Sequence, residues 1–260
     1  MATYDVTING VSLNSTNRGV DEFNGRRVVP RRRTVGIEVP GWPGESVHVG
    51  AFESSAFSLG MWFIGANPGE TPNPARLEQE LDAVLKLFTA RGLVEVRWLH
   101  PSGVWRVAQC KVATAVTPEI DHDNCTATLK VGFENPSCFW SGPNTLTFQS
   151  TTFNAGVPAS SFTNATGAIS DITLTVPGPI SNPVIFCGNM RTEYVGSVPA
   201  GSTLVLRNAQ QRATVGGVPV SVQQSHPRFF ELTPGDSIHI AGPAAGGSTP
   251  WSITYLPTYT

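Results

Sequence analysis

The chain has 260 residues, a net charge of −2 and 40% hydrophobic residues, which excludes a disordered chain and an obvious polyanion binder and leaves room for one large domain or two ordinary ones. Charged residues make up only 14%, well below the roughly 25% of an ordinary soluble domain, so part of the surface is expected to lie against partner chains. Glycine (26) and proline (21) are abundant, which points to many short strands and turns.

Met1-Ala2-Thr3-Tyr4-Asp5 has neither a basic nor an apolar export region, and no apolar run approaches the ~18 residues of a membrane-spanning helix. No export signal and no membrane insertion are therefore expected. Tyr4 to Leu13 reads as strand, turn and strand about Asn9-Gly10, a strong hairpin signal. Residues 14 to 34 read as a polar loop that turns basic at Arg26, Arg27, Arg31, Arg32 and Arg33. Three readings fit this run: contact with an acidic patch on a partner, nucleic-acid binding, or a solvated strand edge whose charges discourage unwanted pairing. The nucleic-acid reading needs aromatic or groove-reading residues, and Phe23 alone is thin support.

Thr34 to Val39, Val47 to Phe52 and Phe57 to Ile64 read as strands, with a turn at Pro40-Gly41-Trp42-Pro43-Gly44. Ala75 to Arg91 is the one long helix: Leu77, Leu81, Val84, Leu85 and Phe88 form an apolar stripe, and Glu78, Glu80, Asp82 and Lys86 fill the other side. Asn73 is placed to cap its start, Pro74 suits the first helical position and Gly92 suits a left-handed residue after the last turn. Strands are expected at Leu93–Leu99, Val104–Val116 and Cys125–Glu134, with turns at His100–Gly103 and Asp121–Asn124. A helix over this antiparallel meander can bury a core.

Beyond Trp140 the composition shifts to Ser, Thr, Asn and Gly, and a domain boundary is placed near Ser141-Gly142-Pro143, giving domains 1–142 and 143–260. Candidate strands then follow at short intervals, among them Ile172–Val176, Pro183–Cys187, Glu193–Val198, Ser202–Arg207, Phe229–Leu232, Ser237–Ala241 and Trp251–Leu256. Their number suits a β-sandwich, with the last strand expected beside Ile238–Ile240.

The familiar nucleophile, phosphate-loop, dinucleotide, zinc-protease and EF-hand motifs are absent. His122 and Cys125 have a ligand-like spacing but no second pair nearby, and a structural zinc normally takes four ligands. Glu119, Asp121 and Asp123 read as a solvated hairpin tip, and Glu231 with Asp236 as carboxylates flanking a turn. Cys110 and Cys125 could face each other on adjacent strands, although buried thiols are the expectation for all four cysteines, Cys138 and Cys187 included. No catalytic residue, cofactor or metal is expected.

The order of elements resembles a known family. The helix bearing Leu81-Asp82-Ala83-Val84-Leu85 leads to the hairpin Glu95-Val96-Arg97-Trp98 and Trp105-Arg106-Val107, then to a strand ending Phe133-Glu134-Asn135-Pro136. A sandwich follows in which Asn182-Pro183 opens a strand, and Leu232-Thr233-Pro234-Gly235-Asp236 precedes the last strands, ending Tyr255-Leu256-Pro257. This layout is similar to distal tail proteins of long-tailed bacteriophages. The resemblance implies a mainly β fold: an N-terminal β-barrel-like domain with one helix, then a C-terminal galectin-like β-sandwich. It implies a structural virion protein, made in the host cytoplasm, whose hexameric ring at the tail tip joins the tail tube above to hub, fibre or receptor-binding proteins below and around. The N-terminal domain would close the ring, with Arg26, Arg27, Arg31, Arg32 and Arg33 as interface candidates. The alternative is a carbohydrate-binding or receptor-binding tail-tip module, with Trp251, Tyr255 and Tyr259 stacking on sugar; core packing is the competing reading for Trp251 and Tyr255.

Overall fold

A computed structural model describes residues 4–27, 29–38, 45–66, 69–89, 92–114, 116–150, 157–158, 162, 165–169, 171–225, 229–233, 236–242 and 250–260. The turn expected at 40–44 and the helix end expected at 90–91 lie outside these residues. The chain divides into two compact units, Met1–Trp140 with Thr260, and Ser141–Tyr259. The fold is mainly β, with one α-helix among the described residues.

The first unit begins with a hairpin, β1 (Val6–Ile8) and β2 (Val11–Ser12). Asn9 and Gly10 between them have φ of 50° and 79°, the left-handed pair that a two-residue hairpin turn requires. Residues 14–34 depart from the expected loop, because β3 (Arg18–Asn24) runs through them. Its alternation is obscured by a bulge between Val20 and Glu22, which sets the buried Val20 and Phe23 three residues apart rather than two. β4 (Arg32–Glu38) pairs with β5 (Glu45–Phe52) in a separate two-stranded ribbon. β6 (Ser55–Ile64) follows.

Helix α1 spans Pro74–Phe88, and the Asn73 side chain accepts hydrogen bonds from the backbone N–H groups of Ala75 and Arg76. Leu77, Leu81 and Val84 are buried, while Leu85 and Phe88 are half-buried. Glu80, expected on the polar side, forms an ion pair with Arg18 on β3, and both side chains are largely shielded from solvent.

The remaining strands are β7 (Val94–Leu99), β8 (Trp105–Val112), β9 (Pro118–Asp121) and β10 (Thr126–Asn135). The strand expected over Val104–Val116 is therefore shorter. β8 meets β10 at Phe133 and Glu134, whereas β9 pairs with Thr126 to Leu129 of the same strand. Between them Thr114 Oγ1 accepts from Gly132 N–H at 3.0 Å. β10 runs antiparallel to β6 over ten residue pairs.

The sheet order is β2-β1-β7-β8-β10-β6-β3, with β9 also on β10. The sheet then turns back on itself. Tyr4 N–H donates to Val20 C=O on β3 at 3.0 Å. Asn14 extends this closure with its side-chain amide: Oδ1 accepts from Val20 N–H at 3.0 Å and Nδ2 donates to Tyr4 C=O at 2.9 Å. One primary amide thus stands in for a peptide group between the first and last long stretches of the sheet, making it barrel-like.

The second unit contains a six-stranded sheet in the order 146–150, 251–255, 172–177, 203–207, 212–215, 218–220 and a five-stranded sheet in the order 157–158, 237–241, 184–187, 190–193, 223–224. Their inward rows share one core, including Ile172, Leu174, Leu206 and Ile253 from the first sheet and Ile185, Ile238 and Ile240 from the second, the layout of a β-sandwich. Three sequence expectations change here. Leu146–Ser150, read as part of a polar junction, is a strand. The strand Trp251–Tyr255 pairs with 146–150 and with Ile172–Thr175, not with Ile238–Ile240, because it belongs to the opposite sheet. The run Glu193–Val198 is split between Met190–Glu193 and Ser197–Val198.

The segment 229–232 is also no regular strand, apart from a bridge between Leu232 and Ile169, although all four residues are buried. Side chains from other strands and turns satisfy its carbonyls instead. Thr192 Oγ1 donates to Phe229 C=O at 2.7 Å, Asn208 Nδ2 to Phe230 C=O at 2.7 Å and Cys187 Sγ to Glu231 C=O at 2.9 Å. Leu232 exchanges both backbone hydrogen bonds with Ile169. A buried segment without a ladder stays satisfied only through such individual donors.

Candidate functional site

The core of the first unit is strongly aromatic. Phe23 packs edge-on to Trp98 at 5.4 Å and to Trp140 at 5.9 Å, and Phe57 stacks on Phe133 at 5.0 Å. At one end of this cluster cationic side chains lie on the rings. The Arg26 guanidinium sits 4.7 Å from the Tyr4 centroid, 5.7 Å from Phe23 and 5.9 Å from Trp98. Arg106 lies 5.4 Å from the same Trp98 ring. The negative face of each ring attracts these cations, and more strongly where water is excluded.

Hydrogen bonds fix the arrangement. Arg26 Nη1 donates to Phe23 C=O, and Trp140 Nε1 donates to Arg26 C=O at 3.0 Å. Arg106 Nη1 donates to Thr260 C=O at 3.1 Å. His100 leans edge-on against Trp98 at 5.3 Å, and its Nε2 lies 3.4 Å from Arg27 Nη2. Burial, followed by the charges of Arg106, Arg27 and Arg26, pushes the His100 pKa below its ordinary value, so the neutral imidazole is favoured. Tyr4, Asp5, Arg26, Arg27, Trp98 and His100 line a pocket of about 380 Å³.

The interface candidates differ in burial. Arg26 is half-buried on the aromatic core and Arg27 is exposed at the pocket rim. Arg31 and Arg33 are exposed, and Arg32 begins β4 opposite Phe52. Sequence reasoning did not single out Arg106, yet a signal was present. Arg106 has the same strand parity as the buried Ala108 and Cys110, and a charged residue on an inward row needs an unusual partner. His100, read as a turn residue, gave no such signal.

Trp251, Tyr255 and Tyr259 are buried, at 0%, 5% and 9% exposure. They do not present the free ring faces that sugar stacking needs, which corrects their assignment as possible sugar contacts. Trp251 and Tyr255 lie on the inward row of strand 251–255 and join the core of the second unit. Among the described residues, no three His, Cys, Asp or Glu side chains converge as a metal site. Cys125 is buried and His122 exposed. Asp121 spends its carboxylate on its own turn, accepting from Asn124 Nδ2, Asn124 N–H and Asp123 N–H, and the Asn124 hydrogen bonds lower its pKa. Glu231 is buried, and Asp236 accepts from the Thr233 N–H and hydroxyl. The four cysteines are free thiols. Burial raises the pKa of both Cys110 and Cys187 to about 12, so neither supplies a thiolate near neutral pH.

No protein family matches the sequence, and no curated protein does. Among solved structures, the chain is similar to the Dit protein (gp 19.1) of phage SPP1, described as a paradigm of the hub adsorption apparatus in phages infecting Gram-positive bacteria. The TM-score is 0.61 at 12% identity, and the match covers 100% of both chains. A looser likeness is to the phage p2 baseplate in its activated conformation with Sr, with a TM-score of 0.39 at 10% identity over 98% and 97% of the two chains. The fold of the whole chain is thus that of a Dit protein.

Proposed function

From a Dit fold that runs the length of the chain, we propose that this protein is a structural component of a phage tail tip. It forms a hexameric hub ring that joins the tail tube to the receptor-binding apparatus. The observation that carries this reading is the end-to-end match to SPP1 Dit, which takes in both units. Two features of the chain support it. Its charge content is low for a free monomer. The ribbon β4–β5 pairs with no other described strand, and isolated two-stranded ribbons are marginal in water.

Ring closure needs a heterologous contact, in which one surface meets a different surface of the next copy. The first unit is assigned this contact and the second unit the outer partners. Negative-stain imaging and sedimentation of the full-length protein test the reading: rings with six-fold symmetry support it, and monomers at every concentration sink it. A fragment ending at Gly142 is expected to keep the ring, and one starting at Pro143 to sediment as a monomer. The opposite pattern would exchange the roles of the two units.

A further inference from the structure

Two surfaces of the first unit carry opposite, unneutralised charge. In the pocket beside Trp98, Arg26 and Arg27 take part in no ion pair among the described residues. The pocket's one carboxylate, Asp5, accepts from Asn14 Nδ2 at 3.2 Å. Arg26 is seated on three rings and held by its Phe23 hydrogen bond, so it is a fixed charge beneath the more exposed Arg27.

The second surface is a groove of about 300 Å³ lined by Asp21, Glu22, Glu119 and Lys130. Three carboxylates here face one ammonium, and none takes part in an ion pair among the described residues. Glu22 is laid over the opposite strand at Gly60, where a Cβ would come within 2.9 Å of Glu22 Cβ. Glycine at that position therefore makes room for the carboxylate. Strand β3 contributes to both surfaces: Asp21 and Glu22 lie within it, and Arg26 and Arg27 follow its end.

We propose that the arginine-bearing surface of one copy lies against the acidic groove of a second copy, with the exposed Arg27 reaching into the groove to pair with Asp21 and Glu119. This rests on the ring reading and names the residues of its junction. The two surfaces are different, as a heterologous contact requires. Arginine–carboxylate pairs removed from water supply orientation as well as attraction. Arg26 acts as a positioning charge, because its own hydrogen bonds and ring contacts hold it in the core.

Charge reversal in the full-length protein provides the test, with sedimentation velocity over a concentration series as the readout. Arg27 and Glu119 are exposed and Asp21 is half-buried, and circular dichroism with thermal unfolding verifies that each variant folds. Arg27→Glu alone, and Asp21→Lys with Glu119→Lys, should each raise the concentration for half-assembly by about tenfold or more, since like charges are then opposed. A chain carrying all three substitutions should assemble within several-fold of wild type. A 1:1 mixture of the two defective variants should also form rings, with complementary junctions alternating. If wild type forms rings and the reversals do not weaken them, or the triple variant is no better than its parents, the pairing is wrong while the ring reading stands. A wild type that never assembles overturns both.

Discussion

The two units solve the problem of polar groups near a core in opposite directions. In the first, an aromatic cluster around Phe23, Trp98 and Trp140 supports Arg26 and Arg106, so packing underneath fixes cationic groups beside a pocket. In the second, a mostly aliphatic core encloses Thr192, Cys187 and Asn208, whose polar atoms point at the backbone of 229–231. Core integrity in the first unit therefore sets surface chemistry. In the second it sets the path of one irregular segment. Similar burial has different consequences because the polar partners lie on different sides.

The sharpest test compares two buried tryptophans. Trp98→Ala and Trp251→Ala should each cost about 3–5 kcal/mol through lost burial and the cavity left behind. Thermal or urea unfolding measures both. Trp98→Ala should also weaken assembly under conditions where the protein stays folded, because it removes the ring beneath two arginines; Trp251→Ala should leave assembly unchanged. Equal effects on assembly would erase the contrast.

Next in size is Asn208→Ala, expected to cost about 2–4 kcal/mol. It strips partners from both Phe230 C=O and Phe230 N–H, and each unsatisfied buried group costs about 1–3 kcal/mol. Urea denaturation with an unchanged slope would attribute the loss to the folded state. Smaller again is Glu80→Ala, at about 1 kcal/mol, since its pair with Arg18 is partly shielded. Glu78→Ala, exposed on the same helix, should fall within about 0.5 kcal/mol. Indistinguishable melting temperatures for these two would show that the pair contributes nothing.

The smallest effect is in pH. The folded pKa of His100 is lowered, first by burial and then by Arg106, Arg27 and Arg26. Below the ordinary histidine value of about 6.5 the unfolded chain binds this proton more readily. His100 therefore costs nothing above that pH, and stability declines as pH falls toward the folded pKa. His100→Asn should flatten that part of the stability profile. A profile with the same slope in both proteins would show that His100 does not titrate differently on folding.

The sequence made the helix, its cap, the Asn9-Gly10 hairpin and most strands legible because each advertises itself locally, through period or turn chemistry. β3 was hidden because the Val20/Glu22 bulge breaks period two. The segment 229–232 looked like a strand because burial alone makes a short run apolar; its hydrogen-bond partners come from residues 187, 192 and 208. The pairing of Trp251–Tyr255 with Leu146–Ser150 spans over a hundred residues of chain, and nothing local announces it. For the site, the arginine run was visible, but its division was not. Arg26 joins the core while Arg31 and Arg33 stay outside, and that follows from where Tyr4 and Trp98 come together.

The Asn14 closure carries a chemical liability with age. Its Nδ2 faces two acceptors, Tyr4 C=O and Asp5 Oδ1, and the next residue, Ser15, is small. Loss of ammonia from that amide would leave a carboxylate against a carbonyl and a second carboxylate, with no donor between them. The Val20 N–H would keep its acceptor, so half of the seam would survive while the other half became repulsive. Hydrolysis at one side chain, a change of about one dalton, would thus begin to unfasten the barrel where Tyr4, just ahead of β1, meets β3, beside the ring on which Arg26 rests.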